Sequence, residues 1–292
     1  MRIALLGLGL IGGSIARALR EREPRSSVRI VAWSPSGGGP ATAARDGIID
    51  VAAASPAAAI EDADLVILAG PAPVTITHLD DLAGLWRSAL APDAVITDVA
   101  STKSLICARA ETHGLRFVGG HPMAGRESSG YDAAQPDLFD DRPWVVVPTR
   151  DDRAVGRVEE LVRAVGARPV RLGAAEHDEA VAAISHLPLV VAAALVESVA
   201  GRPDATRDGW DTASMLAATG WRDMTRLARG EVEMGSGILT TNRSAVAGRV
   251  RDLIAVLERW LADLERDGDA VADADIVDRL RAARERLGSM PR

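Results

Sequence analysis

The chain has 292 residues, of which 47% are hydrophobic, enough to bury the cores of two ordinary domains and to exclude an intrinsically disordered protein. Its formal net charge is −7, with acidic and basic residues mixed along the sequence, so no basic stripe favours nucleic-acid or anionic-membrane binding. Since Cys107 is the single cysteine, the chain forms no intrachain disulfide, and we expect a cytoplasmic protein.

The first part of the chain alternates between predicted strands and predicted helices. The apolar run Arg2–Leu6 predicts the first strand, and a helical pattern follows the next glycines as far as about Glu21. Further strands are predicted over residues 28–33, 65–69, 94–97, 116–119, 144–148 and 168–172, and helices over 41–47 and 154–165. Because this alternation is typical of parallel sheets covered by helices, we predict a doubly wound, mostly parallel Rossmann-type α/β domain over residues 1–173.

Predicted strands stop after this first domain. The remaining sequence is rich in Ala, Leu and Val at helical spacing, with turn-like breaks near residues 201–209, Gly230 and Gly235. We therefore predict an all-helical C-terminal domain over residues 174–292. Its long amphipathic helix, Arg243–Leu264, suits either intrachain packing or a dimer interface, and we favour a homodimer formed through this domain.

The most apolar later stretch, residues 181–200, is interrupted by His186, Pro188 and Glu197. A membrane-spanning helix needs about 20 consecutive, mainly apolar residues, and this stretch falls short of that pattern. The apolar N-terminus is interpreted as a first strand and not as a cleavable signal. We therefore expect a soluble protein with a small-molecule substrate and no membrane or nucleic-acid partner.

The turn after the first strand carries the pattern G-x-G-x-x-G, formed by Gly7, Gly9 and Gly12. The first glycine permits a tight turn, the second lets the backbone approach a pyrophosphate, and the third permits close contact between strand and helix. Leu10 and Ile11 open the helix whose N-terminus would bind the diphosphate. Because the pattern follows a strand and opens a helix, it predicts a bound NAD or NADP.

The end of the second predicted strand bears on the choice between these two cofactors. NAD enzymes usually place a carboxylate there to bind the ribose 2′-hydroxyl, whereas this sequence continues with Ser34, Pro35 and Ser36. The hydroxyls of Ser34 and Ser36 would donate to a 2′-phosphate, which favours NADP. No arginine adjoins them, so the choice stays open.

Six ordered segments carry the most specific pattern in the sequence. They are TDVASTKS (97–104), VGGHPMAGRESSGYDAA (118–134), DLF (137–139), AISHLP (183–188), GWRDMTRLA (220–228) and TTN (240–242). Together these segments resemble the prephenate/arogenate dehydrogenase family of tyrosine biosynthesis, and they span both predicted domains.

The resemblance implies an NAD(P)-dependent oxidative decarboxylation of a cyclohexadienyl compound. Hydride leaves the ring carbon that bears the hydroxyl, carbon dioxide is lost, and the ring becomes aromatic. Such an enzyme must orient the substrate against the nicotinamide, accept the hydrogen of the hydroxyl, and anchor carboxylates with cations. We expect prephenate as the substrate, with arogenate or an amino-substituted prephenate as alternatives.

Two residues in these segments are candidate catalytic groups. His121 matches the family's HPMAG histidine, and a neutral imidazole accepts a proton at physiological pH. By the same resemblance, Ser101 is a second hydrogen-bond partner for the ring hydroxyl and the nicotinamide. A serine at this position is also compatible with a helix N-cap.

The resemblance assigns substrate anchoring to charged residues. Arg226 matches the family's substrate-binding arginine, and a guanidinium binds a carboxylate bidentately. Glu127 and Asp223 match acids that resemble a gating ion network with this arginine, one of them reaching in from a partner subunit.

Three further residues are expected near the substrate. Lys103, the only lysine, lies two residues after Ser101, where its ammonium would orient the loop or add positive potential near anionic ligands. Asn242, the only asparagine, falls where the family shows one, and Ser185 belongs to the matching AISHLP segment. His186 in that segment is equally compatible with a structural and a catalytic role. The histidine spacing predicts no metal site.

Two positions depart from the family pattern. Leu189 stands where many members have a second histidine after SHLP, and Gly235 stands where many have a tryptophan near the substrate. Both changes remove a polar or aromatic contact, which leaves open whether the substrate carries a keto or an amino group.

Two other interpretations fit parts of this pattern. The 3-hydroxyacid dehydrogenases share the architecture but normally use a catalytic lysine in the helical domain, and no lysine follows Lys103. A nucleotide sensor that kept the fold and lost turnover is the alternative from another class, because a fold alone does not establish function. The combined presence of His121, Ser101 and Arg226 favours an enzyme.

Overall fold

The computed structural model of this chain describes residues 1–125, 128–266 and 274–289. The chain forms two compact units, Met1–Arg243 and Ser244–Arg292. The domain boundary expected at residue 173 lies inside the first unit and stays a prediction.

A six-stranded parallel sheet forms the centre of the first unit. In chain order its strands are β1 (Arg2–Leu6), β2 (Arg29–Trp33), β3 (Val51–Ala52), β4 (Leu65–Leu68), β5 (Val95–Asp98) and β6 (Phe117–Val118). The spatial order is β3-β2-β1-β4-β5-β6, and each of these pairings is parallel. The predicted doubly wound Rossmann-type fold is therefore confirmed. The strand order reverses beside β1, so the carboxyl ends of β1 and β4 border the crevice where such sheets bind ligands.

Helices cover both faces of this sheet. They are α1 (Leu10–Arg22), α2 (Gly38–Arg45), α3 (Pro56–Ile60), α4 (Ala72–Ala83) and α5 (Ser104–Thr112). Successive side chains of a strand point to opposite faces, so Ile3 and Leu5 of β1 join one buried cluster with α1, while Ala4 and Leu6 join another with α3 and α4. Burial on both faces explains why the central strands are continuous apolar runs.

A second, three-stranded sheet follows β6 in the chain. It consists of β7 (Gly120–Pro122), β8 (Pro143–Val146) and β9 (Arg168–Arg171), with α6 (Asp152–Ala164) between β8 and β9. Strand β7 is antiparallel to β8, and β8 is parallel to β9. The sequence predicts β8 and β9 but not β7, because a three-residue strand that includes a proline gives no recognisable pattern.

The remainder of the first unit is mainly helical, as predicted. Its helices are α7 (Ala174–Val181), α8 (Leu187–Ala200), α9 (Trp210–Met215), α10 (Thr219–Thr225) and α11 (Val232–Thr241). A short hairpin lies in the predicted turn region. Its two strands have two residues each and are β10 (Gly201–Arg202) and β11 (Ala205–Thr206). Gly235 lies inside α11, so the break predicted there is wrong.

A π-helical turn over Ala182–His186 joins α7 to α8. Pro188 explains this wider turn, because a proline has no N–H to donate and its ring would collide with the carbonyl four residues earlier in α-helical geometry. The helix therefore continues over Ala174–Ala200, and it is long and apolar enough, by length and composition alone, to cross a membrane. The interruptions seen in the sequence at His186 and Pro188 do not end it.

The second unit contains most of α12 (Arg243–Leu264) and all of α13 (Ala274–Gly288). The bounds of α12 agree with the predicted amphipathic helix. Asp263 forms ion pairs with Arg266 and Arg279, each at 2.6 Å. On α12, a row of apolar side chains at helical spacing is exposed, namely Ile254, Leu257, Leu261 and Leu264.

Candidate active site

The glycine turn between β1 and α1 has the geometry of a dinucleotide cradle. Gly7 has φ +108°, and a Cβ there would lie 2.6 Å from the carbonyl oxygen of Ala69 on the neighbouring strand end. A Cβ at Gly12 would lie 2.2 Å from the carbonyl oxygen of Gly7. These two positions therefore require glycine for folding alone.

Gly9 differs from these two glycines, because a Cβ there would meet nothing within 4 Å. The space beside Gly9 is thus open, next to the first-turn N–H groups of Leu10 and Ile11, which have no intrahelical carbonyl to bind. An anionic diphosphate fits such a helix N-terminus. The residues present therefore fit the pyrophosphate of a dinucleotide.

The segment after β2 is placed beside this turn, since Gly7 N–H donates to the carbonyl oxygen of Trp33 at 2.8 Å. Ser34 follows as a half-buried residue, and Ser36 is exposed. Their contact with a cofactor ribose stays a prediction.

A buried ion pair fixes the loop that leaves β5. The ammonium of Lys103 pairs with Oδ2 of Asp98, and both side chains have 0% of their surface exposed. Asp98 also accepts hydrogen bonds at 3.0 Å from the N–H groups of Gly120 and Ala100. The carboxylate thereby joins the end of β5, the loop after it and the start of β7. This placement supports the loop-orienting role of Lys103, and its contact with substrate stays a prediction.

Ser101 lies half-buried in the same loop. It is not the N-cap of α5, because that position belongs to Lys103, which makes no side-chain cap. The N–H groups of Lys103 and Ser104 instead donate to the carboxylate of Asp178 on α7, each at 2.8 Å. The catalytic assignment of Ser101 stays a prediction, with the capping alternative removed.

His121 lies on β7 and begins a hydrogen-bonded chain of side chains. Its Nδ1 is 2.8 Å from Nε2 of His177, and Nδ1 of His177 is 2.8 Å from Oδ1 of Asp178. His177 is fully buried, with 0% of its surface exposed, while His121 is partly exposed at the sheet edge. A histidine on a strand is thus connected through a second histidine to a carboxylate on a different element.

The surroundings of His121 favour its neutral form. Burial lowers the pKa of His121 well below its usual value, and the positive potential of Lys103 acts in the same direction. His177 and His186 also lower this pKa, while Asp178 opposes them. At neutral pH the imidazole is therefore uncharged and able to accept a hydrogen bond or proton.

His186 and Asn242 occupy a second buried position beside this chain. The side-chain amide of Asn242 donates to the backbone oxygen of Asp178 at 2.8 Å and lies 3.2 Å from Nδ1 of His186. Burial lowers the pKa of His186 to about 4, so this ring is neutral and its Nδ1 accepts from Asn242. These contacts are structural, and the substrate contact expected of Asn242 stays a prediction.

The predicted substrate anchors lie farther along the helical segment. Arg226 begins the short 3-10 turn that follows α10, and its side chain is exposed, as is that of Asp223 one turn earlier. Ser185 is exposed in the π-helical turn. Glu127 lies outside the described residues. The roles assigned to these four residues stay predictions.

The sequence reasoning missed His177 and Asp178. They lie on the buried side of α7, as does Val181. A histidine and an aspartate on the apolar face of a predicted helix are a detectable signal, because such groups are seldom buried without hydrogen-bond partners.

Comparison with known proteins identifies the family of this chain. The family model of the prephenate dehydrogenase nucleotide-binding domain matches residues 15–171, and that of the prephenate dehydrogenase dimerization domain matches residues 173–275. The chain belongs to the prephenate dehydrogenase family. The resemblance seen in the six ordered segments is thereby confirmed.

Three relatives show how closely the chain follows this family. The prephenate dehydrogenase of Bacillus subtilis (strain 168) is 33% identical over 270 residues, which cover 91% of this chain and 70% of that protein. Synechocystis arogenate dehydrogenase is 32% identical, with a TM-score of 0.74 over 90% of this chain and 92% of that one. The prephenate dehydrogenase from A. aeolicus, in complex with hydroxyphenyl propionate and NAD+, is 26% identical, with a TM-score of 0.86 over 100% and 98% of the two chains.

These matches and the glycine cradle settle the class of the protein. It is a dehydrogenase of the prephenate dehydrogenase family with a site for a nicotinamide dinucleotide, as the sequence predicted. The sensor hypothesis is not needed to account for any feature of the site.

Proposed function

We propose that this dehydrogenase catalyses the NAD(P)-dependent oxidative decarboxylation of prephenate to 4-hydroxyphenylpyruvate in tyrosine biosynthesis. The observation that carries the proposal is the hydrogen-bonded chain that links His121 on β7 through His177 to the carboxylate of Asp178. This reaction needs a hydrogen-bond acceptor for a ring hydroxyl, and a neutral imidazole in such a setting meets that need.

A nicotinamide dinucleotide held at the turn of Gly7, Gly9 and Gly12 would supply the hydride acceptor for the ring carbon that bears the hydroxyl. His121 accepts the hydrogen bond of that hydroxyl and stabilises the positive charge that develops on its oxygen. The bond from the ring to its carboxylate breaks, carbon dioxide leaves, and the bonding electrons enter the ring to complete the phenol. The product hydroxyl retains its proton, so the step balances without a further reactant.

Ser101 and Arg226 complete the proposed machinery. Ser101 belongs to the loop after β5, which the Asp98–Lys103 pair fixes, and its hydroxyl would be the second partner of the ring hydroxyl. Arg226 would bind a substrate carboxylate, since a guanidinium suits planar, bidentate recognition. Asp223 and Glu127 would modulate access to that arginine.

NADP is the proposed form of the cofactor. Residues 34–40, which follow β2, contain no carboxylate, and the serine hydroxyls at Ser34 and Ser36 are compatible with a 2′-phosphate. In NAD-specific relatives of this fold, an acidic residue at this point binds the 2′-hydroxyl and repels the phosphate.

We also propose that the enzyme is a soluble, cytoplasmic homodimer. The apolar helix Ala174–Ala200 is largely unburied in one chain, and α12 exposes Ile254, Leu257 and Leu261 on one face. Large exposed apolar surfaces of this kind mark association sites. The matching of residues 173–275 to a dimerization domain supports a second copy of the chain as the partner.

The proposed function is tested by reduced-nicotinamide absorbance with purified protein, using prephenate and arogenate, each with NAD and with NADP. We expect turnover of prephenate, a preference for NADP, and loss of about 10²-fold or more in the His121→Ala variant. His113→Ala is the matched control, because this half-buried histidine follows α5 and contacts Asp80 at 2.7 Å, away from the hydrogen-bonded chain of His121. If none of the four combinations turns over while both cofactors bind, the proposed reaction is wrong.

Arogenate is the second candidate substrate, and a contact between two unusual positions favours testing it. A Cβ at Gly235 on α11 would lie 3.5 Å from Cδ2 of Leu189 on α8. The two departures from the family pattern therefore adjoin each other, and neither residue has a polar side chain that would read a keto or an amino group. The ratio of kcat/KM for arogenate and prephenate decides between the two substrates.

A further inference from the structure

We propose that His177 is a positioning residue, which together with Asp178 holds His121 in the one neutral tautomer whose Nε2 is a hydrogen-bond acceptor. The inference deepens the proposed function and rests on it for the identity of the reaction. The proton positions, however, follow from the geometry of the described side chains and are measurable without any substrate.

Asp178, the acceptor at the end of this series of hydrogen bonds, determines where the ring protons of His177 and His121 lie. Burial raises the pKa of Asp178, but hydrogen bonds from His177 and from the N–H groups of Ser104 and Lys103 outweigh it and hold the pKa below its usual value. Asp178 is therefore an ionised acceptor, and the nitrogen that faces it, Nδ1 of His177, must donate. A ring that carries one N–H and donates from Nδ1 has its opposite nitrogen, Nε2, available to accept, and Nε2 of His177 is the atom that faces His121.

The same reasoning applies to His121. Its Nδ1 faces Nε2 of His177 at 2.8 Å and must carry the proton of that hydrogen bond. A neutral imidazole has a single N–H, so Nε2 of His121 keeps its lone pair. This is the nitrogen that a ring hydroxyl would meet. A histidine with the opposite tautomer would present an N–H and could not accept.

Asp178 is fixed independently of both histidines. Its two carboxylate oxygens accept the N–H groups of Lys103 and Ser104, and its backbone oxygen accepts the side chain of Asn242. Three contacts from two other parts of the fold thus hold Asp178 in place. Substitution of His177 therefore removes the link to His121 and leaves the anchor of the loop intact.

The charged and titratable groups around His121 are consistent with this arrangement. From the loop after β5 it faces Lys103, whose charge is compensated by Asp98, and from the helical segment it faces His177, Asp178 and His186. His186 is neutral, and the hydrogen bond of its Nδ1 is to Asn242 and not to His121 or His177.

Two substitutions at His177 separate its two hydrogen bonds. His177→Asn places an amide N–H where Nδ1 stood, so the bond to Asp178 is kept and the bond to His121 is lost. His177→Gln places a carbonyl oxygen where Nε2 stood, so the acceptor for His121 is kept and the bond to Asp178 is lost. Both variants place an uncharged amide at the same buried site and differ by one methylene group, and each serves as the control for the other.

The direct test is ¹⁵N NMR of the ring nitrogens in protein labelled at its five histidines. The His121 signals are assigned by their absence in His121→Ala. We expect a proton on Nδ1 and a lone pair on Nε2 in the wild type and in His177→Gln, and a mixture of tautomers in His177→Asn. A wild-type proton on Nε2 of His121, or an unchanged tautomer in His177→Asn, overturns the proposal.

Kinetics provide the second readout. We expect His177→Asn to lower kcat by roughly 10- to 100-fold, less than the 10²–10⁴-fold that a general acid or base contributes, with KM and cofactor affinity changed less than about threefold. His177→Gln should recover most of this loss. Equal losses in both variants, accompanied by matching losses of thermal stability, would indicate a merely structural histidine.

The two proposals fail in distinguishable ways. If the tautomers are as expected but no cyclohexadienyl substrate turns over, the positioning role stands and the reaction is wrong. If prephenate turns over but the His121 tautomer is insensitive to His177, the reaction stands and the positioning role is wrong.

Discussion

Removal of the buried ammonium of Lys103 is the perturbation whose effect the structure defines most sharply. Lys103→Met keeps most of the apolar stem and leaves the Asp98 carboxylate fully buried without its cation. Breaking a buried ion pair by removing one partner typically costs about 3–5 kcal/mol. Asp98 retains hydrogen bonds from the N–H groups of Gly120 and Ala100, which places the expected loss near the lower limit, at about 3 kcal/mol.

The pH dependence of this variant has a defined sign. Burial raises the pKa of Asp98 in the folded protein, and Lys103 is the largest influence that lowers it, so the pKa rises further when Lys103 is removed. The folded state then binds a proton that the unfolded state has released, and stability increases as the pH falls towards the unfolded pKa of an aspartate. At high pH this stabilisation is lost.

The assay is urea unfolding followed by circular dichroism between pH 5 and pH 8. We expect a loss of about 3 kcal/mol at pH 8 that shrinks at pH 5, and partial recovery when Asp98→Asn is combined with Lys103→Met. A variant whose unfolding free energy stays within about 1 kcal/mol of wild type at pH 8, with an unchanged pH dependence, would refute the argument that the pair is buried and mutually dependent.

Three further predictions follow from single contacts. Gly237→Ala should destabilise the protein by at least about 1 kcal/mol in thermal unfolding, because its Cβ would lie 2.9 Å from Pro73, whereas Gly235→Ala on the same helix, 3.5 Å from Leu189, should be tolerated. Gly9→Val should weaken dinucleotide binding in a fluorescence titration and leave the melting temperature nearly unchanged, since its Cβ meets no protein atom. In the pH profile of kcat/KM, the apparent pKa of the acidic limb should lie below the usual histidine value of about 6.5, because activity is lost only when His121 is protonated and burial lowers that pKa. An apparent pKa above 6.5 would contradict the neutral acceptor.

The sequence predicted those parts of the fold whose residues repeat a local pattern. Central strands such as β1 and β4 are buried on both faces and are recognisable as apolar runs, and the glycine turn is identified by its spacing. The long helix α12 was predicted with its observed bounds because it is amphipathic over 22 residues. Strand β7 has three residues and depends on pairing with β8, which lies more than 20 residues later in the chain, so local pattern gives no sign of it.

The same distinction between local patterns and distant contacts applies to the residues of the candidate site. His121 and Ser101 were found because they belong to recognisable segments, whereas the role of His177 depends on a contact with His121 at a sequence separation of 56 residues. The sequence alone also left two possible roles for Lys103, and the partner that favours one of them, Asp98, lies five residues away on a strand end where nothing marks it as an ion-pair partner.

Asp178 explains why these residues depend on one another. Its carboxylate binds the amides that begin α5, its Oδ1 orients His177, and its backbone oxygen holds Asn242 at the end of α11. The loop that carries Ser101 and the imidazole of His121 therefore share one anchor on α7. Asp98 at the end of β5 binds this loop and the start of β7 as well, so Asp178 and Asp98 together hold Ser101 and His121 in one arrangement.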